Sequence, residues 1–209
     1  QAILPLRGKV LNSWEVEADR LFANAEIHDI AVALGVDPHG AGAEPDLSGL
    51  RYGKVVVMSD ADVDGAHIQT LLLTLFYRHF PALIRHGHIH VAQPPLYRVD
   101  VPASGKRRPA RRLYALDEGE LQAIKDRLVK EGVREESVEV GRFKGLGEMN
   151  PDQLRETAMD PATRRVLPVA DADEAAPTQR LFGLLMGKGE AAARRAWMEE
   201  NGHRVEADL

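Results

Sequence analysis

A ten-residue run, Val55-Val-Val-Met-Ser-Asp60-Ala-Asp62-Val-Asp64, constrains this chain more than any other segment. An apolar stretch of strand-forming residues ends in three carboxylates at alternate positions, followed by Gly65 and a stretch with helical apolar spacing. A buried strand feeding a helix belongs to an α/β sheet, and open sheets of that class collect their chemistry at the carboxyl ends of strands. Three like charges within five residues repel one another, so a compensating cation is expected.

Four readings compete for such a run. A solvated turn after a strand uses Asp freely, but the apolar residues before it and the third acid speak against that. An EF-hand loop matches Asp60, Asp62, Asp64 and Gly65 as its opening positions, then requires Glu at the twelfth, where this chain has Leu71. The residues before it are also strand-like rather than helical. An aspartyl-phosphate enzyme likewise places Asp-x-Asp after an apolar strand, with Asp60 as nucleophile, although such enzymes usually carry Thr or Val where Asp64 stands. The fourth is a magnesium site for phosphodiester chemistry, in which carboxylates hold an ion that keeps waters and takes phosphate oxygens. On the residues alone the last two stay open.

The chain has 209 residues, enough for one large domain or a domain with an appendage. No stretch approaches the ~20 consecutive apolar residues of a membrane span, and no secretory signal is visible. The absence of cysteine excludes a disulfide scaffold and thiolate metal sites, and fits a cytoplasmic protein. The sequence opens on Gln1 within an apolar segment, which reads as a piece of something longer. A net charge of −5 argues against a uniformly basic DNA-coating protein. Basic residues nevertheless cluster in Arg7-Gly-Lys9, Lys106-Arg-Arg-Pro-Ala-Arg-Arg112, Arg142-Phe-Lys144, Arg164-Arg165 and Arg194-Arg195, so an acidic molecule can carry a basic face.

Apolar periodicity predicts helices over residues 17–34, closed by Gly35, and over 66–80. It also predicts helices over 121–128 with Asp117 as cap, and over 151–159 with Asn150 as cap and Pro151 at the first position. Residues 179–200 read as helix in two pieces, interrupted at 187–189. Strands are expected at 51–58, at 88–99 with a break at Pro94-Pro95, at 113–116 as its hairpin partner, and at 138–140. Residues 170–177 read as a linker, and the basic loop 103–112 as a hairpin tip. His86, His88 and His90 alternate as zinc ligands on one strand face would, but surface histidines are the expectation.

Pro5-Leu-Arg-Gly-Lys-Val-Leu-Asn12, Ser59-Asp-Ala-Asp-Val-Asp-Gly-Ala-His-Ile68, Gln93-Pro-Pro-Leu-Tyr97 and Arg142-Phe-Lys-Gly-Leu-Gly-Glu-Met-Asn150 stand in the order seen in bacterial type IIA topoisomerase B subunits. Nearly the whole chain resembles that family. Asn12-Ser-Trp-Glu-Val16 and Arg194-Arg-Ala-Trp-Met-Glu-Glu-Asn-Gly202 are more similar to its topoisomerase IV branch than to its gyrase branch. The resemblance implies an α/β fold of TOPRIM type, a Rossmann-type parallel sheet with flanking helices over residues 1–115. A mainly helical tail over 116–209 would carry the Arg142 motif.

Roles follow from the same resemblance. Asp60 and Asp62 would bind Mg²⁺, with Asp64 beside them. A further metal-binding Glu belongs to a Glu-Gly-Asp motif that in the family precedes the segment at which this sequence starts. Lys9, Asn12, His67 and Arg194 would contact double-stranded DNA. ATP would act through an upstream nucleotide-binding domain, and the tyrosine that attacks DNA lies on the A subunit, so no catalytic residue is expected in this chain. The parent would be an A₂B₂ enzyme, cytoplasmic and nucleoid-associated, relaxing and decatenating DNA. The alternatives are a fragment of a gyrase B subunit, a metal-dependent phosphatase-like hydrolase and a non-catalytic DNA-binding module.

Overall fold

The computed structural model describes residues 1–104, 109–170 and 175–204. In chain order its elements are α1 (Ala18–Leu21), α2 (Ala25–Leu34), β1 (Val55–Val57), α3 (Val63–His79), α4 (Pro81–Arg85), β2 (Ile89–Ala92), β3 (Tyr97–Val101) and β4 (Arg111–Ala115). They continue as α5 (Glu118–Lys130), β5 (Glu139–Arg142), α6 (Pro151–Leu154), β6 (Val166–Pro168), α7 (Ala175–Met186) and α8 (Ala191–Asn201). Two compact units are built from interleaved stretches: Gln1–Val55, His67–Ile89 and Pro168–Leu209 make one, Val56–Ala66 and His90–Leu167 the other. Their borders do not follow the division at 115/116 read from the sequence.

In the first unit, the single helix expected over 17–34 is two. The Asn24 side chain accepts the Ile27 N–H and starts α2 afresh, because a short polar side chain serves better as a cap than inside a helix. Gly35 closes α2 in the left-handed conformation (φ 74°). The apolar period of α2 buries Ile27, Ile30, Ala31 and Leu34, and α3 buries Leu71, Leu72, Leu75 and Phe76. Leu21, Ile27, Leu75, Phe80, Leu83 and Ile89 are wholly inaccessible and form the heart of this core. Near the amino end, Trp14 stacks on Phe182 of α7 with ring centroids 5.8 Å apart, and Tyr77 of α3 lies 4.7 Å from Phe182. The helical tail divides at 187–189, as its glycines predict.

The second unit contains an antiparallel sheet of order β4-β3-β5, in addition to the sheet that holds β1. Tyr97 to Val101 pair with Ala115 to Arg111, which is the expected hairpin, and Tyr97 to Asp100 pair with Arg142 to Glu139 on the other side. Alternation along β3 turns Tyr97, Val99 and Val101 inward. Val99 and Val101 pack with Leu128 of α5 and Val133, and Leu113, Leu121, Ile124 and Val138 close the cluster. Asp117 caps α5 by accepting the Glu120 N–H, and Glu120 accepts the Leu116 N–H in return. Arg112 at the end of the basic loop is spent on its cross-strand partner Asp100 at 2.9 Å, and Arg111 pairs with Glu131. Lys106, Arg107 and Arg108 of that loop, and residues 171–174 of the expected linker, lie outside the described residues.

The other sheet has the order β1-β2-β6. β1 is only Val55–Val57, shorter than the expected 51–58, because the residues before it bond elsewhere: the Arg51 N–H donates to Leu34 O, and His88 Nδ1 meets Gly53 O at 2.9 Å. Among the described residues no helix is long and apolar enough to cross a membrane.

Candidate functional site

Asp60 and Asp62 lie where the strand pattern put them, between β1 and α3, but each is also engaged by backbone. Asp62 accepts the Gly65 N–H at 2.7 Å, and its own carbonyl accepts the Ala66 N–H at 2.9 Å, so it caps the helix that follows. That cap starts α3 at Val63 rather than at Ala66 as expected. Asp60 reaches the Arg142–Asn150 segment, where the Leu146 N–H donates to its Oδ1 at 2.7 Å. A Cβ on Gly145 would sit 2.9 Å from Asp60 Cγ and Oδ1, and one on Gly65 would sit 2.1 Å from the Asp60 carbonyl oxygen. Gly65 is therefore required by close approach of backbone, whereas Gly145 has an extended backbone and a side chain there would displace the Asp60 carboxylate. Phe143 is buried and its N–H donates to Leu96 O, which leaves Arg142 and Lys144 on either side of it exposed. Glu148 closes the turn by accepting the Lys144 N–H.

The donor set suits a hard cation. Asp60 and Asp62 are exposed carboxylates that each commit Oδ1 to one amide, which leaves Oδ2 of each for an ion that retains most of its waters. Asp64, also exposed, lies in the first turn of α3. Among the described residues no group of three or more His, Asp or Glu is placed to hold a metal ion.

The four residues expected to contact DNA belong to the first unit. Lys9 is exposed and follows Gly8, whose φ of 86° marks a sharp turn. His67 is exposed in the second turn of α3, not at its start, because Asp62 caps the helix earlier than the apolar period suggests. Asn12 is bonded at both ends of its amide: Nδ2 donates to Met186 O at 2.8 Å, and Oδ1 accepts the Trp14 N–H at 3.1 Å. The Nη1 of Arg194 donates to Leu184 O, Leu185 O and Gly187 O at 3.1, 3.2 and 2.9 Å. The geometry of these last two is that of helix capping.

Sequence reasoning missed several participants. Leu146 and Glu148 act through an amide and a local turn, and the only trace of the latter is an acid four residues after Lys144. His79 is buried and its Nε2–H donates to Ser13 O at 2.9 Å; burial holds its pKa below the ordinary value. The alternating histidines do not form a surface row. His86 ends α4 with its Nδ1 on Ala82 O, His88 precedes β2, and His90 is buried within it.

Residues 1–94 match the Toprim domain, and residues 135–199 match the family described as DNA gyrase B subunit, carboxyl terminus. The chain is 50% identical to the B subunit of DNA topoisomerase 4 from Haemophilus influenzae over its whole length, and 51% identical to that from Pseudomonas aeruginosa over 99% of it. The B subunit of DNA gyrase from Thermotoga maritima is 46% identical over 98% of the chain. The chain spans 31% of the length of the first two relatives and 30% of the third. From the acids after β1 to the α7–α8 hairpin, it therefore belongs to the type IIA topoisomerase B subunits and corresponds to their Toprim and carboxyl-terminal region.

Proposed function

We propose that this chain is the Toprim and tail region of the B subunit of a topoisomerase IV. It contributes a cation site and part of the DNA surface to an enzyme that passes one duplex through a double-strand break in another. The observation that carries this reading is the seating of Asp60 on the Leu146 N–H, 86 positions away along the chain. The acid-bearing part of one family motif, Ser59–Ala66, and the motif Arg142–Asn150 meet there within one compact unit. The Asn12–Val16 and Arg194–Gly202 segments favour the topoisomerase IV branch; identity alone does not separate the two, since the topoisomerase 4 relatives lie at 46–51% and the gyrase relatives at 46–48%.

Asp60 and Asp62, with Asp64 beside them, would hold Mg²⁺, which when bound supplies charge stabilisation at a phosphodiester oxygen. The Leu146 and Gly65 amides fix the two carboxylates in place before any ion arrives. Lys9 presents a point charge to a phosphate, and the exposed His67 adds a hydrogen bond to backbone or sugar. Arg142 and Lys144 draw the DNA strand toward the acids through their charge. Asn12 and Arg194 also serve DNA recognition. The attacking tyrosine belongs to a partner A subunit in an A₂B₂ assembly, and ATP drives the cycle through a separate nucleotide-binding domain. Such an enzyme works in the cytoplasm, on the nucleoid.

The test is reconstitution of the full-length natural subunit with its partner subunit. Relaxation and decatenation that require both ATP and a divalent cation are expected, whereas the chain described here hydrolyses neither ATP nor small phosphoesters by itself. Net introduction of supercoils would move the assignment to gyrase. Phosphoester turnover by the lone chain, lost on Asp60→Asn, would move it to the hydrolase.

A further inference from the structure

Asp60 rests against the turn at residues 144–148. Within that turn the Leu146 N–H donates to Asp60 Oδ1 at 2.7 Å, and the Lys144 N–H donates to Glu148 Oε2 at 2.9 Å. Two main-chain bonds tighten it, from the Glu148 N–H to Gly145 O at 3.2 Å and from the Met149 N–H to Leu146 O at 3.1 Å. Phe143 before it and Met149 after it are anchored by burial. Asp60 and all of these residues lie in the second unit.

The last torsion of an aspartate side chain is soft, so a carboxylate that nothing holds turns readily. An ion that takes one oxygen of Asp60 then bears the cost of ordering it, unless the protein has met that cost beforehand. The Leu146 amide holds Oδ1 and so presents Oδ2. Gly145 lets the turn come so near that a Cβ there would sit 2.9 Å from the carboxylate carbon. The direction of the Leu146 N–H is set by the shape of the turn. Glu148 is exposed, so it does not hold that shape by packing; its contribution is to accept the Lys144 N–H. The same bond fixes the main chain from which the Lys144 side chain leaves.

We propose that Glu148 is a positioning residue: by closing this turn it holds the Leu146 amide against Asp60 and presets the carboxylate that receives the cation. The proposal rests on the reading of Asp60 and Asp62 as a cation site given above. Glu148 acts as a hydrogen-bond acceptor and does not touch the ion, so an uncharged acceptor of the same length serves in its place.

Two variants in the full-length subunit, assembled with its partner, test this through DNA cleavage titrated with Mg²⁺. Glu148→Ala should raise the Mg²⁺ midpoint about three- to tenfold, the scale of one hydrogen bond. The plateau rate should stay unchanged, as a loss of cation binding alone requires. Without divalent cation, hydrogen exchange in the peptide that carries Leu146 should quicken in the same variant. Glu148→Gln, which keeps an acceptor oxygen at the same reach, should restore both readings. A midpoint in Glu148→Gln as high as in Glu148→Ala would overturn the proposal, because Glu148 would then act by its charge. Quickened exchange in Glu148→Ala with an unmoved midpoint would also overturn it, because the turn would then be structural only. If the unsubstituted assembly cleaves DNA equally well in the presence of a chelator, the cation reading fails and the proposal fails with it, an outcome that needs no variant to recognise.

Discussion

A methyl group on Gly145 would arrive 2.9 Å from the carboxyl carbon of Asp60, inside the distance that any real contact allows. The backbone of Gly145 is extended and open to any residue, so the cost of Gly145→Ala comes from displacing Asp60 alone. We expect a loss of about 1–3 kcal/mol, the range for forcing an extra methyl into a packed site, together with weaker divalent-cation binding. Thermal melts with and without Mg²⁺ would check both, and an unchanged melt would mean that the turn gives way freely. His79 tests a second residue. Its folded pKa is lowered, first by burial and then by Arg78, while its bond to Ser13 and the charge of Glu17 act in the opposite direction. Below the ordinary value of 6.5 the unfolded chain takes up a proton that the folded chain resists. Stability should therefore fall as pH drops through that value, until the folded pKa is reached. Chemical denaturation between pH 7.5 and pH 5 should show this decline, and His79→Gln should flatten it.

At the scale of elements, α6 begins with a reciprocal cap: Asn150 accepts the Gln153 N–H, and Gln153 accepts the Asn150 N–H. Asn150→Ala should cost about 1 kcal/mol, read from a urea midpoint, and the same variant should loosen the turn that carries Leu146. This cap, like that of α5, was legible because one polar residue and its next neighbours determine it, whereas the Asn24 cap that splits the helix expected over 17–34 was not read. The five residues after α6, Arg155–Met159, form a π-helical turn that apolar spacing alone does not distinguish from α-helix. β6 and the shortened β1 were not legible. Three-residue strands exist only through their neighbours, and no periodicity can develop over so short a span.

Across the whole molecule, the interactions that matter most for function join distant parts of the sequence. Asp60 and Leu146 are 86 positions apart, and Asn12 and Met186 are 174 apart. Local patterning placed the acids at a strand end, and the family resemblance pointed to Asn12 and Arg194, but the partners of Asp60, Asn12 and Arg194 are main-chain groups, which carry no residue-type signal. The resemblance of the motifs supplied the proposed roles, and the hydrogen bonds give the geometry in which those residues are held. The role of the acids can be tested most directly through Asp62. Asp62→Asn keeps an acceptor for the Gly65 N–H and removes one of three clustered charges, so stability should hold or rise. In the full-length subunit assembled with its partner, double-strand DNA cleavage titrated with Mg²⁺ should fall about 100-fold or more, the scale for losing a group that stabilises transition-state charge. Near-normal cleavage by the folded variant at every Mg²⁺ concentration would contradict a cation held at Asp60 and Asp62.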